Sequence, residues 1–230
     1  MATTSAMLPQ EFERPVLELS GEILRVALQN MVSGTEEHGG IERYIDAIKL
    51  KSAMFRQALV ENDIADLDLE TFKGLCTFMA TVRRRISGHL NEEAFGDMRV
   101  AIVRLFDDRE HIDDRIMTFC DRFPNDKKHR WVRDLATELL HNADPERVPL
   151  MNRWVWDAKS NTGVIREIWH GDNVDHITIP VPNGYGTYLM LREELSQFLS
   201  DNGIFRDVLY YVDMLCAQVY AHYICEQGGS

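Results

Sequence analysis

The sequence predicts a mainly α-helical protein, a single-domain multi-helix bundle with one small β-hairpin near residues 164–181. Three observations carry that prediction. Apolar residues recur at helical spacing along most of the chain, and Ser, Asp, Asn or Gly stands where such stretches begin or end. Only residues 164–181 alternate apolar and polar with a period of two. Hydrophobic residues make up 45% of the 230 positions and charged residues 27%, a balance that can fill a core and is far from that of a disordered chain.

The elements follow in order. Residues 1–9 read as a loose lead-in to one helical domain spanning 1–230. Pro15 suits the first turn of a helix that runs to about Val32, where Ser33 and Gly34 stop it. Ile41, Tyr44, Ile45, Ile48, Phe55, Ala58 and Leu59 supply the stripe of a second helix. Asp66 or Asp68 can cap a third, which closes after Arg83, Arg84 and Arg85 at Ser87 and Gly88. Asn91 caps a fourth, ending near Asp107. Residues 108–130 are dense in charge, yet Ile112, Ile116, Phe119 and Phe123 keep helical spacing, so they read as a solvated helix broken by Pro124. A helix to His141 follows, then a short helical piece over 149–157. Strands over 164–170 and 174–181 flank Gly171, Asp172 and Asn173 as the expected hairpin, with Pro180 and Pro182 confining the second strand to an edge. Thr187 can cap a helix to Ser200, and residues 204–225 form the last one.

The charge excludes some classes of function. At a net −12, the average surface repels phosphate backbones and anionic headgroups, so neither nucleic acid nor membrane is an expected partner. The three consecutive arginines step around a helix by about 100° each and share no face. The N-terminus lacks a cationic start followed by an apolar run, which predicts a cytoplasmic protein. Cys76, Cys120, Cys216 and Cys225 are scattered without a Cys-x-x-Cys pair, so reduced thiols are expected and structural zinc is not. The phosphate-loop, dinucleotide and nucleophile-elbow motifs are missing, as is His-Glu-x-x-His, and no cofactor is expected.

Two features offer chemistry. Glu138 with His141 and Glu167 with His170 repeat the Glu-x-x-His spacing of dimetal carboxylate proteins. Composition alone yields roughly 0.6 such matches, and the second pair falls in an expected strand, where residues three apart face opposite ways; a site without metal is the expectation. Four of the eight histidines, His111, His129, His141 and His170, follow an acidic residue by three positions, the spacing of a surface ion pair on a helix. Cys216, His222 and Cys225 in the last helix do not share a face closely enough to hold one metal, so packing beside its tyrosines is expected.

The second feature is the segment 153–172. All four tryptophans, Trp131, Trp154, Trp156 and Trp169, lie within 39 residues. Around the last three stand Arg153, Asp157, Asn161, Arg166, Glu167 and His170. Aromatic walls beside arginine and carboxylate are the materials of binding hot spots and small polar pockets. The expected function is a non-catalytic interaction or adaptor protein that uses this segment, with a protein partner or self-association as a homodimer. The alternative is an enzyme with His170 or Asp157 as acid or base and Arg166 holding a small anionic substrate.

Overall fold

The computed structural model describes residues 14–86, 88, 90–171 and 174–227. Ten α-helices are found among them: α1 (Gly21–Glu36), α2 (Ile41–Arg56), α3 (Leu69–Thr77), α4 (Arg83–Ile86), α5 (Glu92–Leu105), α6 (Ile112–Cys120), α7 (Trp131–Ala143), α8 (Val164–Glu167), α9 (Tyr185–Asp201) and α10 (Val208–Gln227). Local chemistry sets several boundaries. The side chains of Ser20, Asp68 and Asn91 accept the free N–H groups of Ile23, Thr71 and Ala94, which starts α1, α3 and α5. No described helix is long and apolar enough to cross a membrane.

The centre is α7, where every residue except Arg133 is buried. It packs against α2 and α6, while α10 packs against α9, α1 and α2. Buried side chains from Leu17 to Val219 form one continuous core, each large apolar residue stabilising the fold by about 1.5–3 kcal/mol before entropy is counted. A helix buried all round must satisfy its polar groups internally. Glu138 accepts from Thr81 Oγ1 at 3.1 Å and Asn152 Nδ2 at 3.0 Å, and pairs with Lys51 Nζ at 3.3 Å. Ser52 Oγ donates to the Asn142 carbonyl at 2.8 Å, so α2 and α7 are tied by polar bonds as well as by packing.

The expected hairpin does not form. Val164–Glu167 is a helical turn and Val174–His176 a 3-10 turn, and the only bridges among the described residues are Leu19 with Trp169 and Asp157 with Thr162. The alternation has a different partner. Asn161 Nδ2 donates to the Ile177 carbonyl and its Oδ1 accepts the Ile179 N–H, both at 2.9 Å. One amide side chain thus satisfies the backbone that a neighbouring strand would have satisfied, and Ile179 and Val181 still face the core. Of the expected turn, Asp172 and Asn173 lie outside the described residues, as does the lead-in 1–9.

Other boundaries move for similar reasons. Leu19 is held as extended chain against Trp169, which delays α1 to Gly21; the helix then runs through Ser33 and Gly34 to Glu36. The third helix ends at Thr77, and the arginine run forms the separate turn α4. Residues 149–157 are irregular chain with a turn at 153–155 and a bridge at Asp157, not helix. Thr187 Oγ1 donates to the Pro182 carbonyl, and the start of α9 is capped by Asp113 of α6, whose carboxylate accepts the Tyr185 N–H at 3.0 Å. The last helix begins at Val208, after Asp207 takes a left-handed backbone at φ 55°.

Candidate functional site

Segment 153–172 divides between core and surface. Trp156 is fully buried, with its Nε1 donating to the Val181 carbonyl at 3.0 Å. Trp169 is buried in the same core, and Trp154 is half-buried with its ring 5.2 Å from that of Tyr220 on α10. Backbone geometry locks this arrangement. The N–H groups of Val164 and Ile165 donate to the carbonyls of Trp154 and Val155, both at 3.1 Å. Gly163, at φ 117°, fits beneath them: a Cβ there would lie 2.7 Å from the Val155 carbonyl oxygen. The segment is therefore a tight loop packed onto α10 and α7.

Its charged members separate. Arg153 directs Nε and Nη2 to Asp157 Oδ2 at 3.1 and 2.9 Å. Burial raises the Asp157 carboxyl, but the Arg153 fork and the hydrogen bonds from Ser160 outweigh it and leave the group below the usual range. Arg166 donates to the Asn161 carbonyl at 2.9 Å. His170 is exposed, and its backbone N–H donates to the Glu18 carbonyl at 2.7 Å.

Arg153 and Asp157 line a cleft of about 800 Å³ with residues from α6 and the start of α7. Arg166 and His170 are not among its lining residues. Four cations (Arg130, Arg133, Arg153 and Lys159) and four carboxylates (Asp113, Asp121, Asp126 and Asp157) face it. Three of the carboxylates are engaged. Asp113 caps α9, Asp157 holds Arg153, and Asp126 accepts from Lys128 and His129 in the turn that leads into α7. His129 Nδ1 lies 2.8 Å from Asp126, an acid-x-x-His pair in which the two side chains meet. Arg133 reaches the Asn183 carbonyl at 3.0 Å and keeps a buried Nε without a partner among the described residues. Arg130 and Lys159 are exposed and form no salt bridge among the described residues. Cys120 also lines the cleft, its thiol pushed up to about 11 by burial. Under the loop, Asp134 accepts the Arg153 N–H at 3.0 Å, and burial pushes its carboxyl up to about 6.

A second cleft, of about 620 Å³, carries Arg56, Arg115 and Arg147 against Asp108, Glu110, Asp144 and Glu146. Its cations are the minority, and Arg147 is bonded to Asp144 and paired with Asp108.

The Glu-x-x-His pairs lie on different elements and take different partners. His141 places Nδ1 2.8 Å from the Val148 carbonyl and Nε2 3.0 Å from Asp213, while Glu138 is taken by Lys51, Thr81 and Asn152. Glu167 belongs to α8, and its His170 lies beyond that turn. Among the described residues, no group of three or more His, Cys, Asp or Glu side chains is arranged to hold a metal ion. On α10, Cys216 is buried, Cys225 is exposed, and His222 pairs with Glu226 at 3.3 Å.

Sequence reasoning reached Arg153 and Asp157 but missed Arg130, Arg133 and Lys159. The signal available was the basic run from Lys127 to Arg133, set in a strongly acidic chain. Compared with family models, with curated proteins and with solved structures, the chain matches none.

Proposed function

We propose that the protein is a non-catalytic interaction module, an adaptor that receives an acidic segment of a protein partner in the cleft between α6, the start of α7 and residues 153–159. The observation that carries this reading is local charge. The chain is at net −12, yet this cleft sets four cations, Arg130, Arg133, Arg153 and Lys159, against four carboxylates, and Arg130 and Lys159 stand exposed on it without a salt bridge among the described residues. Met117, Phe123 and Val132 add apolar wall for the side chains of a bound segment. Such a patch steers an anionic partner toward one face of a molecule that otherwise repels it. The chemistry of the lining favours holding over turnover: the Cys120 thiol stays protonated and Asp157 is committed to Arg153.

Calorimetric titration with a glutamate-rich peptide tests the reading. Binding is expected to weaken as salt rises, and the Arg130→Glu, Lys159→Glu double variant should lose about tenfold or more in affinity. Its melting temperature should not change, since both side chains are exposed. Equal affinity in the double variant would remove the cleft as the site. Citrate binding as tightly as the peptide would assign the cleft to a small anion instead.

A further inference from the structure

A different set of residues lines a groove between α1 and α10. On α1, Ile23, Val26, Ala27 and Asn30 recur at i, i+3, i+4 and i+7; on α10, Val219, His222, Tyr223 and Glu226 do the same. These two stripes line one groove of about 350 Å³. The groove runs for eight residues along α1, about 12 Å at the helical rise, which matches two to three turns of a third helix laid between the ridges. Its floor is apolar and accessible: Ile23 is 40% exposed and Val26 51% exposed.

α10 also brings apolar side chains, Val219 and Tyr223, to this groove. Along α10, Val212, Leu215 and Val219 face the core, while Tyr223 is half-buried at the groove and Ile224 is exposed. Among the described residues α10 is packed by α9, α1, α2 and α8 and by Trp154, and apolar side chains left at a surface beside a groove mark an interaction site. The rim identifies the occupant. Glu22, Glu167 and Glu226 line the groove, Glu226 paired with the neighbouring His222, and no lysine or arginine lines it among the described residues.

We infer that this groove is a docking site for a basic amphipathic helix, whose apolar face covers Ile23, Val26 and Tyr223 and whose lysines or arginines meet the glutamate rim. The site shares no residue with the cleft between α6 and α7, so the two stand or fall separately. Together they would let one chain hold two partners of opposite charge.

The test uses the full chain and two labelled peptides about three turns long, one alternating leucine and lysine in an amphipathic pattern and one with glutamate in place of lysine. Fluorescence anisotropy should show binding of the lysine peptide only. Val26→Asp, which alters the floor, and the Glu22→Lys, Glu226→Lys pair, which reverses the rim, should each weaken it by about tenfold or more. The Arg130→Glu, Lys159→Glu variant should bind it as the parent does. Equal binding of both peptides, or unchanged affinity in both groove variants, would overturn the inference. Two further results would also overturn it by naming another occupant. Dimers in sedimentation that Val26→Asp dissociates would give the groove to a second copy, and binding that emerges only after removal of residues 1–12 would give it to the chain's own N-terminal segment.

Discussion

Asp134 and His141 stand two turns apart on α7 and tie stability to pH in the same direction. Burial raises the Asp134 carboxyl from its ordinary 3.8 to about 6, so the folded state prefers the protonated form. Stability is therefore lost as pH climbs from about 4 to about 6, by at most about 3 kcal/mol. At His141 burial acts to lower the imidazole, but the charge of Asp213 and the hydrogen bonds to Asp213 and the Val148 carbonyl prevail, and the group ends above its usual value. Both ring nitrogens face acceptors, as the doubly protonated ring requires. That stabilisation is complete below about pH 6.5 and disappears as pH rises through the raised folded value. Scanning calorimetry should show Asp134→Asn melting higher at pH 7 and flattening the decline between pH 4 and 6, since an amide still accepts the Arg153 N–H. Asp213→Asn should lower the melting temperature at pH 6 and abolish the alkaline part of the decline; a variant that keeps the parent's slope would refute the His141 assignment. Glu138 and His141 were visible in the sequence as a spaced pair. Their real partners, Lys51 at 87 positions from Glu138 and Asp213 at 72 from His141, were not, because spacing along one helix carries no information about what packs across it.

At the scale of elements, local chemistry was the legible part. Asp68 and Asn91 start α3 and α5 where capping rules place them, and the apolar stripe of α6 keeps its spacing up to Cys120. What failed was inference of a pairing partner. Residues 177–181 carry a strand-like alternation, and nothing in that pattern says that one asparagine amide, and not a strand, meets it. Asn161→Ala should therefore cost about 0.5–1.5 kcal/mol, the net contribution of a typical hydrogen bond that water can partly replace, read as a drop in the denaturation midpoint with unchanged helical circular dichroism. Gly163→Ala tests the adjacent turn. Its φ of 117° and the carbonyls at 2.7 and 2.9 Å predict a loss of about 1–3 kcal/mol from backbone conformation alone, with more from the displaced carbonyls. A neutral Gly163→Ala would mean the loop is looser than its geometry.

The whole molecule distributes its tryptophans and its charges unevenly. Trp156 is sealed within the core and Trp154 lies at its edge against Tyr220, so the three neighbouring indoles should respond differently to truncation. Trp156→Ala should cost about 3–5 kcal/mol of stability; Trp154→Ala should cost clearly less. Equal losses in urea titrations would contradict the difference in burial. The clustering of aromatic and charged residues was readable from the sequence, but burial was not, because a hydrophobic cluster looks the same whether it fills a core or walls a cleft.

The enclosure of α7 also bears on how the chain acquires its structure. Ser52 and Lys51 of α2 approach this helix from one side and Asp213 of α10 from another, so its polar groups find their last partners only when the far ends of the chain meet. A growing polypeptide would carry α7 incomplete until α10 has been synthesised, and such long-range closure slows the search for the native state. The same enclosure makes α7 the slowest clock in the molecule: its amide protons should exchange with deuterium only through global opening, while those at the exposed start of α1 exchange through local fraying.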